Sequence, residues 1–203
     1  MTWKYFVLVL CMVLVCSGSR AQQLMFRDTI ATYNANRLRT NARGMITLGT
    51  WGIANMAAGG AGYFAAKQDE WKYFHEMNFA WGAINTGIAA LGIRSINKER
   101  SKKYNYLQAH GQYQANKKLY LINAGLDVLY VSAGVAMTEF GRTSVKHKDM
   151  LTGFGRSVAI QGVFLLLFDN VMYASHMRRN SKWRQLLDEI QITGSGASLM
   201  INF

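Results

Sequence analysis

Leu121–Gly134, with the sequence LINAGLDVLYVSAG, is the stretch that decides the fold. It is rich in apolar and small residues and contains one charged side chain, Asp127, near its middle. The uncharged neighbours on both sides extend it to residues 119–138, which as a helix would be about 30 Å long, the hydrocarbon thickness of a bilayer. An acid at that depth is costly to bury and therefore marks a position of interest.

Three more segments of this kind occur in the chain. Residues 44–66 and 77–93 carry no charge, and residues 157–177 carry only Asp169. A soluble helix of that length needs a polar outer face, which 157–177 lacks. The sequence therefore predicts an all-α protein, a polytopic membrane four-helix bundle at 44–178.

The composition agrees with closely packed helices. Of 203 residues, half are hydrophobic, 19 are Gly and none is Pro, which favours one compact unit whose helices approach through small residues. Ala54, Ala58, Gly62 and Ala66 form such a small-residue ridge on the first segment. The two cysteines, Cys11 and Cys16, lie within the first 21 residues, so no disulfide or thiol chemistry is expected after processing.

The two ends of the chain have other patterns. Residues 1–21 have the basic start, apolar core and small residues of a signal peptide. Residues 22–43 predict an amphipathic helix on the membrane or the bundle, with a solvated helical tail as the alternative. The tail, 179–203, starts as a helix and ends in alternating residues around Gly194 and Gly196, which indicates a β-hairpin or a plain amphipathic tail.

The charge distribution conflicts with the signal peptide. Cleavage after Ala21 would place 22–43, 94–118 and the tail outside the cytoplasm, and these carry 15 Lys and Arg residues against 6 on the other side. The positive-inside rule favours the reverse. Three explanations remain open: the first segment does not cross, the protein lies in an outer membrane, or the basic side binds something acidic. We expect a bacterial membrane, the inner one, with the outer membrane as the alternative.

Each predicted span brings at least one polar side chain into the membrane. Because an unpaired polar group in hydrocarbon costs several kcal/mol, we expect these side chains to meet inside the bundle. Two carboxyl groups close together there would not both ionise. The cluster is either a proton- or cation-linked site or hydrogen-bonded glue between helices. Its predicted members are Asn55, Asn85, Asn123, Asp127, Tyr130, Gln161, Asp169 and Tyr173.

Other chemistry lacks the residues it needs. His75 and His176 fall at opposite ends of their helices, so they cannot hold one haem, and the adjacent His75 and Glu76 point to different faces. We expect no catalytic residue, metal, cofactor or nucleic acid. The basic stretch Arg94–Lys118 predicts contact with the headgroups of anionic membrane lipids, and a protein partner or a second copy of the chain is the other expected contact.

Several segments resemble a family of small uncharacterised membrane proteins of the Bacteroidota, a domain of unknown function. They are Phe74-His-Glu-Met-Asn78 with Trp81 and Asn85, Asn123-Ala-Gly-Leu-Asp127 with Tyr130, and Gln161-Gly with Phe164–Asp169. The resemblance implies a helical membrane unit and no activity. We therefore expect a structural or interaction component of the bacterial cell envelope rather than an enzyme. The alternative is a small proton- or cation-coupled transporter or sensor using Asp127 and Asp169.

Overall fold

The described part of the chain is almost entirely helical. In the computed structural model, the backbone is described for residues 2–188, 190–193 and 196–199, and side chains for 27–179. This part contains four α-helices and a two-stranded hairpin: α1 Thr2–Ala65, α2 Asp69–Arg100, α3 Tyr106–Thr143, α4 Lys148–Asp188, β1 Ile190–Thr193 and β2 Gly196–Leu199.

The helices are longer than the predicted spans. Helix α2 begins at Asp69, eight residues before the second predicted span, and Asp69 and Glu70 occupy its first turn, where acidic side chains stabilise a helix N-terminus. The stretch between the second and third predicted spans, residues 94–118, is helical except at residues 101–105. Helix α3 begins with a capping box between Asn105 and Gln108. Apolarity identifies what can be buried in lipid, and it does not mark where a helix ends.

The first helix joins three predicted regions. Residues 1–21, 22–43 and 44–66 were separated by composition, and α1 runs through them from Thr2 to Ala65. Side chains of the middle region pack inward, with Tyr33 fully buried and Ile30 and Leu38 nearly so. Residues 22–43 therefore pack on the bundle.

For the tail, the sequence left a β-hairpin and a plain amphipathic segment as alternatives, and the structure has the hairpin, with Ile190 opposite Leu199.

Two antiparallel helix pairs build the bundle. Helix α1 packs along α2 and α3 packs along α4, and α2 and α4 join the pairs. Glycines lie at the crossings, where a Cβ on Gly52 would be 2.7 Å from the carbonyl oxygen of Gly82, and one on Gly134 would be 2.6 Å from that of Gly155. The predicted ridge is wrong at Ala54 and Ala58, which are exposed, whereas its Gly62 does lie against His75 of α2. The other close approaches of α1 to α2 are at Gly52 and Gly59.

Two of the four helices are long and apolar enough to cross a membrane. They are Tyr106–Thr143 and the Lys148–Arg179 part of α4, each with a stretch of mean hydropathy 1.5. Helices α1 and α2 do not meet the same standard within the described residues.

Candidate functional site

A stripe of polar side chains runs along the buried face of α4. Ser157, Gln161 and His176 are fully buried, and Asp169 is nearly so. Their spacing of four, eight and seven residues keeps them on one face of a helix. The opposite face is apolar and exposed, and it is formed by Ile160, Val163, Leu167 and Val171. The helix therefore turns its polar side to its neighbours and its apolar side outward.

Gln161 joins three helices. Its Oε1 accepts a hydrogen bond from Nε1 of Trp51 at 2.8 Å, and its Nε2 donates to Oδ1 of Asn55 at 2.7 Å and of Asn78 at 3.1 Å. Ser157 also donates to Oδ1 of Asn78, at 2.7 Å. Sequence reasoning found Asn55 and Gln161. It missed Asn78 and Ser157, although each lies at a helical spacing from a predicted residue, seven before Asn85 and four before Gln161.

The acids of α3 and α4 lie next to each other. Asp127 and Asp169 are 3% and 4% exposed, and their side chains lie close to one another and to Asn123. Within the described residues, Oδ2 of Asp127 and Oδ1 of Asp169 have no hydrogen-bond partner. A hydrogen bond between the two carboxyl groups would need a proton on one of them.

The remaining predicted residues are placed differently. Asn85 is buried, and in the described part of the chain its Nδ2 has no hydrogen-bond acceptor. Tyr173 is half-buried on α4, four residues beyond Asp169. Tyr130 lies at the surface, where its ring contacts Trp81 edge to face at 5.2 Å, so its predicted place inside the cluster is wrong. At the crossing of α4 over α3, a Cβ on Gly162 would be 2.8 Å from the backbone nitrogen of Val131 and 3.1 Å from the Cβ of Tyr130.

Besides the contacts of Gln161 and the acidic pair, a third group of polar contacts lies around His176, at the C-terminal end of the buried stripe on α4. The ring of His176 stacks on Tyr120, with centroids 5.6 Å apart, and its Nε2 lies 2.8 Å from Oδ1 of Asn41. Beyond this group, Tyr33 stacks on Tyr113, and Tyr113 donates to the carbonyl of Tyr33 at 3.1 Å. These contacts tie residues 27–43 of α1 to the beginning of α3 and the end of α4.

An ion pair closes this end of the bundle. Arg37, with a side chain 2% exposed, pairs with Glu99 of α2 and donates to Asn34 at 3.0 Å. Burial and the nearby Glu99 carboxylate raise the pKa of Tyr104, so its hydroxyl stays protonated and donates to Glu99 at 3.5 Å. We call residues 27–43, 94–118 and 178–184 the basic extension, because they carry most of the cations of the chain.

The described side chains offer little to a metal or a large ligand. Among residues 27–179 there is no group of three or more His, Cys, Asp or Glu side chains that could hold a metal ion. A shallow pocket of about 380 Å³ lies at the α1–α2 turn and is lined by Lys67, Trp71 and His75 among others.

Comparison with known proteins gives a family and no activity. Residues 47–170 match a family of unknown function, DUF6992. The match includes every segment that carries the sequence resemblance and both acids of the buried pair. No curated protein matches the chain, and no solved structure does either.

Proposed function

The chain belongs to the family of unknown function DUF6992, and we propose that it is an integral membrane protein of the bacterial cell envelope with a structural or interaction role. In this proposal all four helices cross the membrane, at 44–66, 77–93, 119–138 and 157–177, after a signal peptide at 1–21. The basic extension then lies at one membrane surface and forms the interaction element.

The observation that carries the proposal is an inverted distribution of polarity. Among the described side chains, Gln161, Asn85 and His176 are almost completely buried, whereas Phe64, Leu91 and Leu167 are 89%, 69% and 64% exposed. A water-soluble protein places large apolar side chains inside and leaves polar ones at the surface. Apolar outside and hydrogen-bonded polar inside is the arrangement that a lipid environment stabilises.

The packing of α1 and α2 supports four spans rather than three. Close contacts run from Gly49 against Ala89, through Gly52 against Gly82, to Gly59 against Phe79. These contacts keep the uncharged segments of α1 and α2 antiparallel over their whole length. Both segments therefore cross if either does, which disfavours the explanation that the first one stays on one side.

Cysteine accessibility tests the membrane proposal. In full-length protein with Cys11 and Cys16 replaced by alanine, single cysteines at Leu91 and Leu167 should resist a membrane-impermeant maleimide in intact membranes and react after detergent solubilisation. A cysteine at Lys103, also exposed, is the matched control and should react once its side of the membrane is open to the reagent. If Leu91→Cys reacts as fast as Lys103→Cys, the bundle is soluble and the proposal fails.

The acidic pair favours a second candidate function, proton- or cation-coupled transport or sensing. The side chains of Asp127 and Asp169 lie close together in a buried site, with Asn123 nearby. Such a pair can take up and release a proton when the helices around it move. The same contacts can equally act as glue between α3 and α4.

Proteoliposomes separate these two roles. If the pair titrates in a working site, protein reconstituted with a pH-sensitive dye should move protons under a potassium diffusion potential, and Asp127→Asn and Asp169→Asn should abolish this while the protein still accumulates. Asn170→Ala, an exposed polar residue beside Asp169, is the control and should keep the wild-type rate. If the wild-type protein moves no protons, or if Asp127→Asn and Asp169→Asn lower only its stability, the pair serves to hold α3 against α4.

A further inference from the structure

Four cations, one from each helix, lie within about one helical turn of one another along the bundle axis. They are Arg43, Arg94, Lys118 and Arg178, each at the end of a predicted span, and we call them the basic collar. We propose that the basic collar binds the phosphate groups of anionic phospholipids. This inference rests on the proposed membrane location and names the partner of that surface.

Contacts between helices fix the level of the basic collar. Gly92 lies against Met45, which places Arg94 beside Arg43. Asn41 hydrogen-bonds with His176, and His176 stacks on Tyr120. These two contacts place Arg178 and Lys118 level with one another, about one helical turn further from the centre of the bundle than Arg43.

The charge of the collar is not compensated by nearby acids. All four side chains are exposed, and none of them forms an ion pair with a described residue. Glu99, an acid of the same end, is already paired with Arg37. At the other end of the bundle, Lys72, Arg142 and Arg156 are each paired with an acid, and three exposed lysines, Lys67, Lys146 and Lys148, have no ion pair with a described residue. The collar therefore presents free positive charge to its surroundings.

The neighbours of the collar favour lipid over an acidic protein. On three helices, the residue one turn into the predicted span is apolar and exposed: Ile46, Leu91 and Leu121. A phospholipid offers both a phosphate at the level of the cations and an acyl chain below it. A soluble acidic partner offers only the charge and cannot cover the apolar side chains. Arginine also matches phosphate oxygens with two parallel hydrogen bonds, which suits three of the four positions.

Lipid retention tests this with two matched variants of the full-length protein. The collar variant is Arg43→Gln, Arg94→Gln, Lys118→Gln and Arg178→Gln. The tip variant removes four exposed cations further along the extension: Lys98→Gln, Arg100→Gln, Lys102→Gln and Lys103→Gln. Each protein is reconstituted into vesicles of equal parts phosphatidylglycerol and phosphatidylcholine and extracted in mild detergent. Native mass spectrometry then gives the ratio of the two lipids bound.

We expect wild-type protein to retain phosphatidylglycerol preferentially and the collar variant to lose about tenfold or more of that preference. The tip variant should keep it within about twofold, because its cations lie further than Arg43, Arg94 and Lys118 from the exposed apolar side chains that an acyl chain would cover. An equal loss in both variants would mean that general charge attracts the lipid, and this would overturn the collar assignment. No preference in wild-type protein would overturn lipid binding and leave an acidic protein as the partner.

Two further measurements keep the outcome unambiguous. The half-collar variants, Arg43→Gln with Arg94→Gln and Lys118→Gln with Arg178→Gln, should each lose part of the preference, and they replace the full variant if it does not fold. The cysteine accessibility of Leu91 and Leu167, measured in the same preparations, reports membrane insertion. Insertion without lipid preference contradicts this inference alone, whereas labelling of Leu91→Cys in intact membranes contradicts the proposed function.

Discussion

Gln161 is the residue on which the packing of α4 against α1 and α2 most depends. Its amide makes three hydrogen bonds to side chains of the other two helices. Removing the amide of Gln161 would leave its buried partners without these hydrogen bonds. The loss of folding free energy then includes the penalty for each polar group left unpaired, and not only the loss of one contact.

We therefore predict that Gln161→Leu lowers the free energy of unfolding by at least about 2 kcal/mol. The matched control is Asn170→Leu on the same helix, since the Asn170 amide is exposed and donates to the carbonyl of Leu166 in its own helix. This control should change stability by no more than about 0.5 kcal/mol. Titration of the detergent-solubilised protein with a denaturing detergent measures both. Equal losses in the two variants would contradict the central role of Gln161.

A second prediction concerns two glycines of α3. A Cβ at Gly134 would overlap the backbone of α4, whereas a Cβ at Gly125 would meet nothing within 4 Å. Gly134→Ala should therefore lower the thermal stability in detergent, by an amount equivalent to about 1–3 kcal/mol. Gly125→Ala should leave it unchanged or raise it, because alanine is the better helix former. A loss of stability in Gly125→Ala as large as that in Gly134→Ala would contradict the assignment of the effect to close packing at Gly134.

Single residues were predictable where the sequence isolates them. Asp127, Asp169 and Gln161 are polar residues in otherwise apolar segments, and such residues must turn inward. Tyr130 was misplaced because tyrosine is amphipathic and can lie at a helix surface as well as inside. Trp51 and Ser157 were missed as hydrogen-bond partners because pairing between helices depends on which helices are neighbours, and one sequence does not contain that information.

At the scale of elements, the basic extension depends on a buried ion pair between α1 and α2. The Arg37 side chain is 2% exposed and that of Glu99 is 23% exposed. Replacing one member of such a pair leaves the other charge partly buried and unpaired, whereas replacing both removes the problem.

We predict that Arg37→Met destabilises the protein by about 2 kcal/mol, less than for a fully buried pair because Glu99 retains some contact with water. The double variant Arg37→Met with Glu99→Leu should recover part of that loss. Arg39→Met, at an exposed position two residues away, is the control and should be close to neutral. A double-mutant cycle of unfolding free energies measures the coupling between Arg37 and Glu99. Additive losses would show that the pair does not hold α1 to α2.

Elements were partly predictable from composition. Each of the four predicted spans lies almost entirely within a helix, because a helix pairs all the backbone groups of a long apolar segment within the segment itself. The bounds were wrong at the polar ends, where α2, α3 and α4 continue past the last apolar residue. Ion pairs three residues apart, such as Lys72 with Asp69 and Arg142 with Glu139, accompany those charged turns.

At the scale of the whole molecule, the structure bears on the conflict between the signal peptide and the distribution of cations. Residues 27–43 and 94–118 contact one another through Arg37 with Glu99 and Tyr33 with Tyr113, and His176, just before the third part, contacts Asn41. The three parts therefore begin at the same end of the bundle and share one side of any membrane that it crosses. If the basic collar binds anionic lipid, the accumulation of cations on that side has a cause other than the positive-inside rule. The signal peptide can then determine the orientation.

A reporter fused after Asn105 tests this orientation. We expect alkaline phosphatase placed there to be active and green fluorescent protein placed there to be dark, since the first is active and the second fails to fluoresce outside the cytoplasm. The same reporters inserted after Lys146, in the turn between α3 and α4, should give the opposite result. A fluorescent fusion at Asn105 would show that the cations, and not the signal peptide, set the topology.

The glycine crossings have a consequence for how the protein is made. They bind α1 to α2 and α3 to α4 through contacts within each pair, and residues 101–105 join the two pairs. Each pair can therefore leave the insertion machinery as a finished helical hairpin, before the other has been synthesised. Gln161 is on α4 and Asn78 is on α2, so their hydrogen bond forms only when the two hairpins pack against each other. A chain cut between Ser101 and Asn105 should on this basis still assemble from its two halves.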